Sequence, residues 1–525
     1  MYAARGMVAT SNPLAAATAV DVLRSGGNAV DAAIATAAVL CVVEPNNIGI
    51  GGDVFALYAP ADAKAVIAYN GSGYAPAGTD PQWFLERGLT AVPADSAHAV
   101  TIPGAIDAWT QLHADYGTKD LEVLLQPAID LAQEGYPVSD TTHFYWIHSK
   151  GRLARDLGAA RIFLPGGEVP RRGSLHRQRE LAETLRLIAR QGRRAFYEGP
   201  VAQDIVRHLQ SQGGVHTLED FAEYRGAYVQ PIKSAYRGHD VFECPPNGQG
   251  VAALMMLNIL SGFDLARLEP LGAPRLHLEI EAAKLAYRDR DSVVCDPAHR
   301  SAPIDRMLSA EYATSLRACI DPQRAMDDLP PCELPRHRDT TYLSIVDRDR
   351  NAISLIGSLF HSFGSALVAP GSGVILQNRG FGFKTDPDHP NAIGPRKRPM
   401  HTIIPAMVCK DGRAAMSFGV VGGRYQPWGH AHVLNNILDF GLDVQEALDL
   451  SRVYHEDGLV HVERGIPEAA ALDLVGYGHR VIRRSDVGNK DEGPIGGGHM
   501  VRIDWESGVL IGGSDPRTDG CALGY

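Results

Sequence analysis

The sequence predicts an α+β protein, with helices concentrated in the first two thirds of the chain and strands in the last third. Two observations carry this expectation. Residues from about 77 to 330 follow the apolar period of helices, and from Thr340 onward short alternating stretches separated by turn residues take over.

Asn12-Pro13 sets a capping side chain and an N1 proline ahead of the apolar-periodic run 14–23, and Gly26-Gly27 stops that helix. Asn28 caps a second run, Ala29–Val43, whose small side chains permit close packing, so residues 12–43 read as a buried αα-hairpin. Glu44-Pro45 ends it, and a glycine-rich connection leads into a short apolar strand at 54–58. Helical periodicity returns at 121–133, 181–191, 201–210 and 277–287. Residues 332–339, with Pro335, two arginines and a histidine, read as an exposed linker where the two parts meet. Strands at 342–346 and 352–358 flank a charged turn, and those at 406–409 and 414–418 flank Lys410-Asp411-Gly412, a hairpin signal. Helices at 429–440 and 443–452 follow.

Composition removes several functions. The chain has 525 residues, 45% hydrophobic and 21% charged, which is ordinary for a globular protein with a large core. Its net charge of −11 has the wrong sign for nucleic acid. The longest nearly apolar run, 32–43, is too short to span a membrane. With only Arg5 and Arg24 as basic residues in the first thirty, no charged leader can be drawn, and a cytoplasmic address is expected. Seven cysteines without a C-x-x-C pair fit reduced thiols. His430 and His432 lie on different helix faces, so neither a metal nor another cofactor is expected. Gly49-Ile50-Gly51-Gly52 does not complete a dinucleotide fingerprint.

The most specific stretches are His337-Arg338-Asp339-Thr340-Thr341-Tyr342, Ser358-Leu359-Phe360-His361-Ser362-Phe363-Gly364 and Val421-Gly422-Gly423-Arg424. Gly26-Gly27-Asn28-Ala29-Val30-Asp31, Gly394-Pro395-Arg396-Lys397-Arg398-Pro399 and Ser514-Asp515-Pro516-Arg517 support them. Together they resemble the γ-glutamyltranspeptidase family, a branch of the N-terminal-nucleophile hydrolases. The resemblance implies a four-layer αββα sandwich and a proenzyme that cuts itself at Asp339–Thr340. It implies two associated parts, a mainly helical large subunit 1–339 and a small subunit 340–525 that begins with its nucleophile.

The chemistry of that placement stands on its own. A threonine hydroxyl is a weak nucleophile and needs an adjacent base, which an N-terminal threonine carries as its own α-amine. That amine does not exist until the Asp339–Thr340 bond is cut. Successive glycine amides opening a helix suit a tetrahedral oxyanion, the role the resemblance gives Gly422 and Gly423. Ser358 stands where the family places a hydroxyl bonded to the nucleophile.

Departures from the family are equally informative. A γ-glutamyl head needs an arginine for its carboxylate and an acid for its ammonium. Here Ser72 takes the arginine's place, Gly382 the aspartate's, Phe360 an asparagine's, and His401-Thr402 the place of paired serines. Arg379 is gained. A guanidinium with His401 and Thr402 as donors suits a small carboxylate, and Phe360 shortens the cavity. In these changes the chain resembles family members acting on oxamate, an amide of purine breakdown hydrolysed to oxalate and ammonia. A glutathione hydrolase or γ-glutamyltransferase, a β-lactam acylase and a non-catalytic binding protein are the alternatives. The expected partner is a small-molecule amide, and a homodimer is compatible with the sequence.

Overall fold

The computed structural model describes residues 1–62, 65–326, 339–484 and 494–525. Two seven-stranded sheets, antiparallel throughout, form its centre. One runs in the order Tyr2–Ala3, Leu510–Ser514, Gly497–Ile503, Arg413–Val421, Ala406–Lys410, His239–Glu243, Ile232–Tyr236. The other runs Cys521–Gly524, Met7–Thr10, Asp339–Val346, Ala352–Phe360, Asp53–Ala59, Ile67–Gly71, Ala227–Val229. Their inner faces meet through Phe55, Tyr342, Ile356, Met407 and Val501, all buried.

Helices cover both outer faces. Pro13–Arg24 and Ala29–Val43 pack on the second sheet through Val54, Leu343, Ile345 and Leu355, with Leu121–Glu134 packed on Ala29–Val43 and Arg179–Gln191 on Leu121–Glu134. Gly250–Leu260 and Gln426–Leu438 pack on the first through Val408, Phe418 and Met500, and Ala273–Val293 packs on Gly250–Leu260. This is the four-layer αββα order expected.

Local chemistry explains the elements. The Asn12 side chain accepts the Leu14 N–H, Pro13 opens the helix, and Gly26 leaves it at φ +90°. Asn28 and Asp31 form a capping box on Ala29–Val43, and all fifteen residues of that helix are buried. Burial on every side is why its sequence is apolar all round. Asp411 and Gly412, both at positive φ, turn the hairpin between Ala406–Lys410 and Arg413–Val421.

The strands between 227 and 243 depart from the helical expectation for that region. Ile232–Tyr236 lies at a sheet edge with alternating burial and turns through Arg237-Gly238, both at positive φ, into His239–Glu243. A short edge strand with lysine and serine gives little apolar signal. The expected linker at 332–338 lies outside the described residues. Six cysteines are free thiols, mostly buried, as expected; Cys332 lies outside the described residues. No helix among the described residues is long and apolar enough to cross a membrane.

Residues before Asp339 supply seven of the fourteen strands in the two sheets. Asp339–Val346 and Ala352–Phe360 lie between Met7–Thr10 and Asp53–Ala59. A division of the chain at residue 339 therefore does not divide the fold.

Candidate active site

Thr340 lies near the start of Asp339–Val346, where the ladder with Ala352–Phe360 slips register between Asp339 and Thr341. Such an irregularity re-aims a side chain. The Thr340 hydroxyl is buried and lies 3.4 Å from Ser358 Oγ, which accepts the Phe360 N–H at 2.8 Å. One residue on, Thr341 Oγ1 donates to Glu44 Oε2 at 2.8 Å, and Asn47 Nδ2 donates to the same oxygen at 3.0 Å. Burial pushes the Glu44 carboxyl above its ordinary range, and the Asp519 charge adds to that.

Gly422 and Gly423 follow the strand Arg413–Val421 and open a short turn that runs into Gln426–Leu438. They take φ of +126° and +58°. A Cβ on Gly422 would stand 2.9 Å from Gly496 Cα, so glycine is required there on two counts. Gln249 fastens the turn: its Nε2 donates to the Gly423 and Thr402 carbonyls at 2.9 and 2.6 Å, and Arg290 donates to its Oε1 at 2.7 Å.

A second cluster surrounds Arg379, which is 0% exposed. Its Nη1 donates to Thr402 Oγ1 at 2.7 Å, and its Cζ lies 3.9 Å from the centroid of the Phe360 ring. Nε and Nη2 have no hydrogen-bond partner. Burial pushes the Arg379 guanidinium down to about 9, with Asp53 partly opposing. A buried charge holding two unpaired N–H groups is costly, and a carboxylate would satisfy both.

His401, expected beside the substrate, is engaged by the protein at both ring nitrogens. Its Nε2 lies 2.9 Å from Asp53 Oδ2 and its Nδ1 accepts the Ile403 N–H at 3.3 Å, so both ring nitrogens are used by the protein. Burial, and then the Arg379 charge, push His401 down to about 4, leaving it neutral. Ser72 likewise serves the frame: its hydroxyl donates to Asn70 Oδ1 at 2.7 Å and accepts from Asn247 Nδ2 at 3.1 Å. Phe360 acts as a shelf under the guanidinium, at a φ of +80°. His430 and His432 pair with Glu243 and Glu279 in separate buried contacts.

The structure thus groups Thr340 with Ser358 and, through the Phe360 backbone, with Arg379 and Thr402. It also opens a cavity of about 40 Å³ at Thr340, lined by Ser11, Glu44, Thr141, Val421 and Asp519 among others, but not by the Arg379 cluster. Sequence reading missed Glu44, Asp53, Asn247 and Gln249. An acidic residue directly after a fully apolar helix was the available signal for Glu44; the others sit in unremarkable loops and a strand end.

The γ-glutamyltranspeptidase family model matches residues 15–525. The chain is 39% identical to the glutathione hydrolase-like YwrD proenzyme of Bacillus subtilis, covering 99% of this chain and 98% of that one. It is 32% identical to the oxamate amidohydrolase proenzyme of Klebsiella pneumoniae, over 99% and 98%. Among solved structures, the cephalosporin acylase from Bacillus halodurans superposes with a TM-score of 0.94 at 41% identity, covering 100% of this chain and 96% of that one. With the four layers and the glycine turn described above, these matches establish that the chain belongs to the γ-glutamyltranspeptidase family of N-terminal-nucleophile amide hydrolases.

Proposed function

We propose that this chain cuts itself between Asp339 and Thr340 and then hydrolyses a small amide that carries a carboxylate and no α-amine, oxamate being the favoured substrate. Arg379 carries the reading of the substrate: a fully buried guanidinium with two unpartnered N–H groups, stacked on Phe360, whose backbone N–H donates to Ser358, asks for a small anion. The oxamate amidohydrolase among the relatives supports it. The proenzyme names of those relatives support self-cleavage, and the interleaved strands would hold both fragments together.

In the mature enzyme Thr340 Oγ attacks the amide carbon while its α-amine takes the hydroxyl proton. Ser358 orients the hydroxyl, and the Gly422 and Gly423 amides receive the oxyanion. Collapse breaks the C–N bond, the nitrogen leaves with the proton, and water releases the acid from the threonine ester. Arg379 and Thr402 hold the substrate carboxylate throughout.

Glutathione fits less well. Asp53 is the carboxylate next to Arg379, and it is engaged by Gly73 N–H, Gln377 Nε2 and His401 at 2.9, 2.8 and 2.9 Å, leaving little for an α-ammonium. The similarity to a cephalosporin acylase favours a second reading, a longer acyl group whose terminal carboxylate reaches Arg379. Ammonia release from oxamate, run beside glutamate release from glutathione and acyl release from a carboxyl-terminated β-lactam amide, separates the three. Turnover of glutathione alone would overturn the reading.

A further inference from the structure

The cavity at Thr340 has a chemistry opposite to that around Arg379. Glu44 and Asp519 both line it, and Asp519 is fixed by the Thr141 N–H and hydroxyl at 2.9 and 2.8 Å. Ser11, also lining it, is buried, and its hydroxyl lies against the Glu44 carboxyl. Arg517 is the cation in the lining, but its guanidinium is committed to Glu463 at 2.8 Å and Asp515 at 3.1 Å. Two carboxylates and a buried hydroxyl in one small space, with the local cation already neutralised, favour a cationic guest with N–H donors.

We propose that this cavity receives the departing amine of the substrate and holds it as an ammonium between Glu44, Asp519 and Ser11. The proposal rests on Thr340 being the nucleophile. The acyl carboxylate then faces Arg379 and the leaving nitrogen faces two acids, so the site reads both ends of the amide. When the C–N bond breaks, the nitrogen takes the proton held by the Thr340 α-ammonium and becomes a free amine. The amine takes one further proton from water and is held as an ammonium by the Glu44 and Asp519 carboxylates, and the hydroxide is neutralised by the carboxylic acid that deacylation releases. A water needs only about 10–15 Å³ of such space, so 40 Å³ suits ammonia or methylamine and disfavours bulky amines.

The test compares one acyl group with two leaving groups: oxamate, which releases ammonia, and monoethyl oxalate, which releases ethanol. Wild type, Glu44→Gln and Asp519→Asn are assayed on both after N-terminal sequencing confirms a fragment beginning at Thr340. The expected result is a loss of about tenfold or more in kcat/KM for oxamate, the scale of one charge-assisted hydrogen bond, with the ester rate little changed. Equal losses on amide and ester, or none on either, would overturn the subsite. Should Glu44→Gln block maturation through its contact with Thr341, Asp519→Asn decides the matter. A wild type that is uncut, or cleaves neither compound, refutes the functional reading itself, an outcome distinct from equal losses in the variants.

Discussion

The Arg379 guanidinium stacks on the Phe360 ring at 3.9 Å while its Nε and Nη2 stay unpaired. An aromatic face stabilises a cation without using its N–H groups, so the fork stays available for a planar anion. Arg379→Met should abolish turnover. Because it removes an unpaired buried charge, it should leave stability unchanged or raise it by about 1–4 kcal/mol. Oxalate should raise the Tm of wild type and not of the variant. An oxalate shift that survives in Arg379→Met would remove Arg379 from the anion site.

Gly422→Ala tests the oxyanion assignment. A side chain at φ +126°, 2.9 Å from Gly496 Cα, should cost about 1–3 kcal/mol of stability. It should lower kcat about 10²–10³-fold with KM little changed. A folded, processed variant with normal kcat would contradict the role given to this amide.

Stability should fall as pH drops from about 6.5 toward 4. Burial pushes His176, His216, His401, His432, His455 and His499 down to about 4, and His479 to about 3. Their folded values lie below the unfolded one, so across that window the unfolded chain binds more protons and stability is lost on acidification. Each such proton contributes a slope of about 1.4 kcal/mol per pH unit. Buried Glu44, Glu243 and Asp347 are raised and pull the other way, but they are fewer. Urea midpoints that do not change between pH 6.5 and 5 would refute this balance.

Much of the fold was legible where local chemistry is strong. Asn12-Pro13 and Asn28 with Asp31 mark two helix starts by their capping groups, and Asp411-Gly412 marks a hairpin by its positive φ. The strands at 227–243 were not legible, because an exposed Lys233 and a small polar Ser234, buried though it is, give no apolar period. At the site, sequence could name Arg379, Thr402 and Phe360 but could not foresee that one stacks on another. His401 looked like a donor to ligand because its partner, Asp53, is remote in sequence and reaches it only through the fold. Glu44 was passed over for the same reason: its contact with Thr341 joins residues almost 300 apart.

The most direct measurement is intact mass with N-terminal sequencing of the purified chain and its Thr340→Ala variant. Wild type should give two co-purifying fragments, 1–339 and 340–525, the second beginning at Thr340, while the variant stays a single inactive chain of 56.5 kDa. A wild type that remains uncut yet hydrolyses its amide, or a Thr340→Ala variant that still matures, would contradict the account.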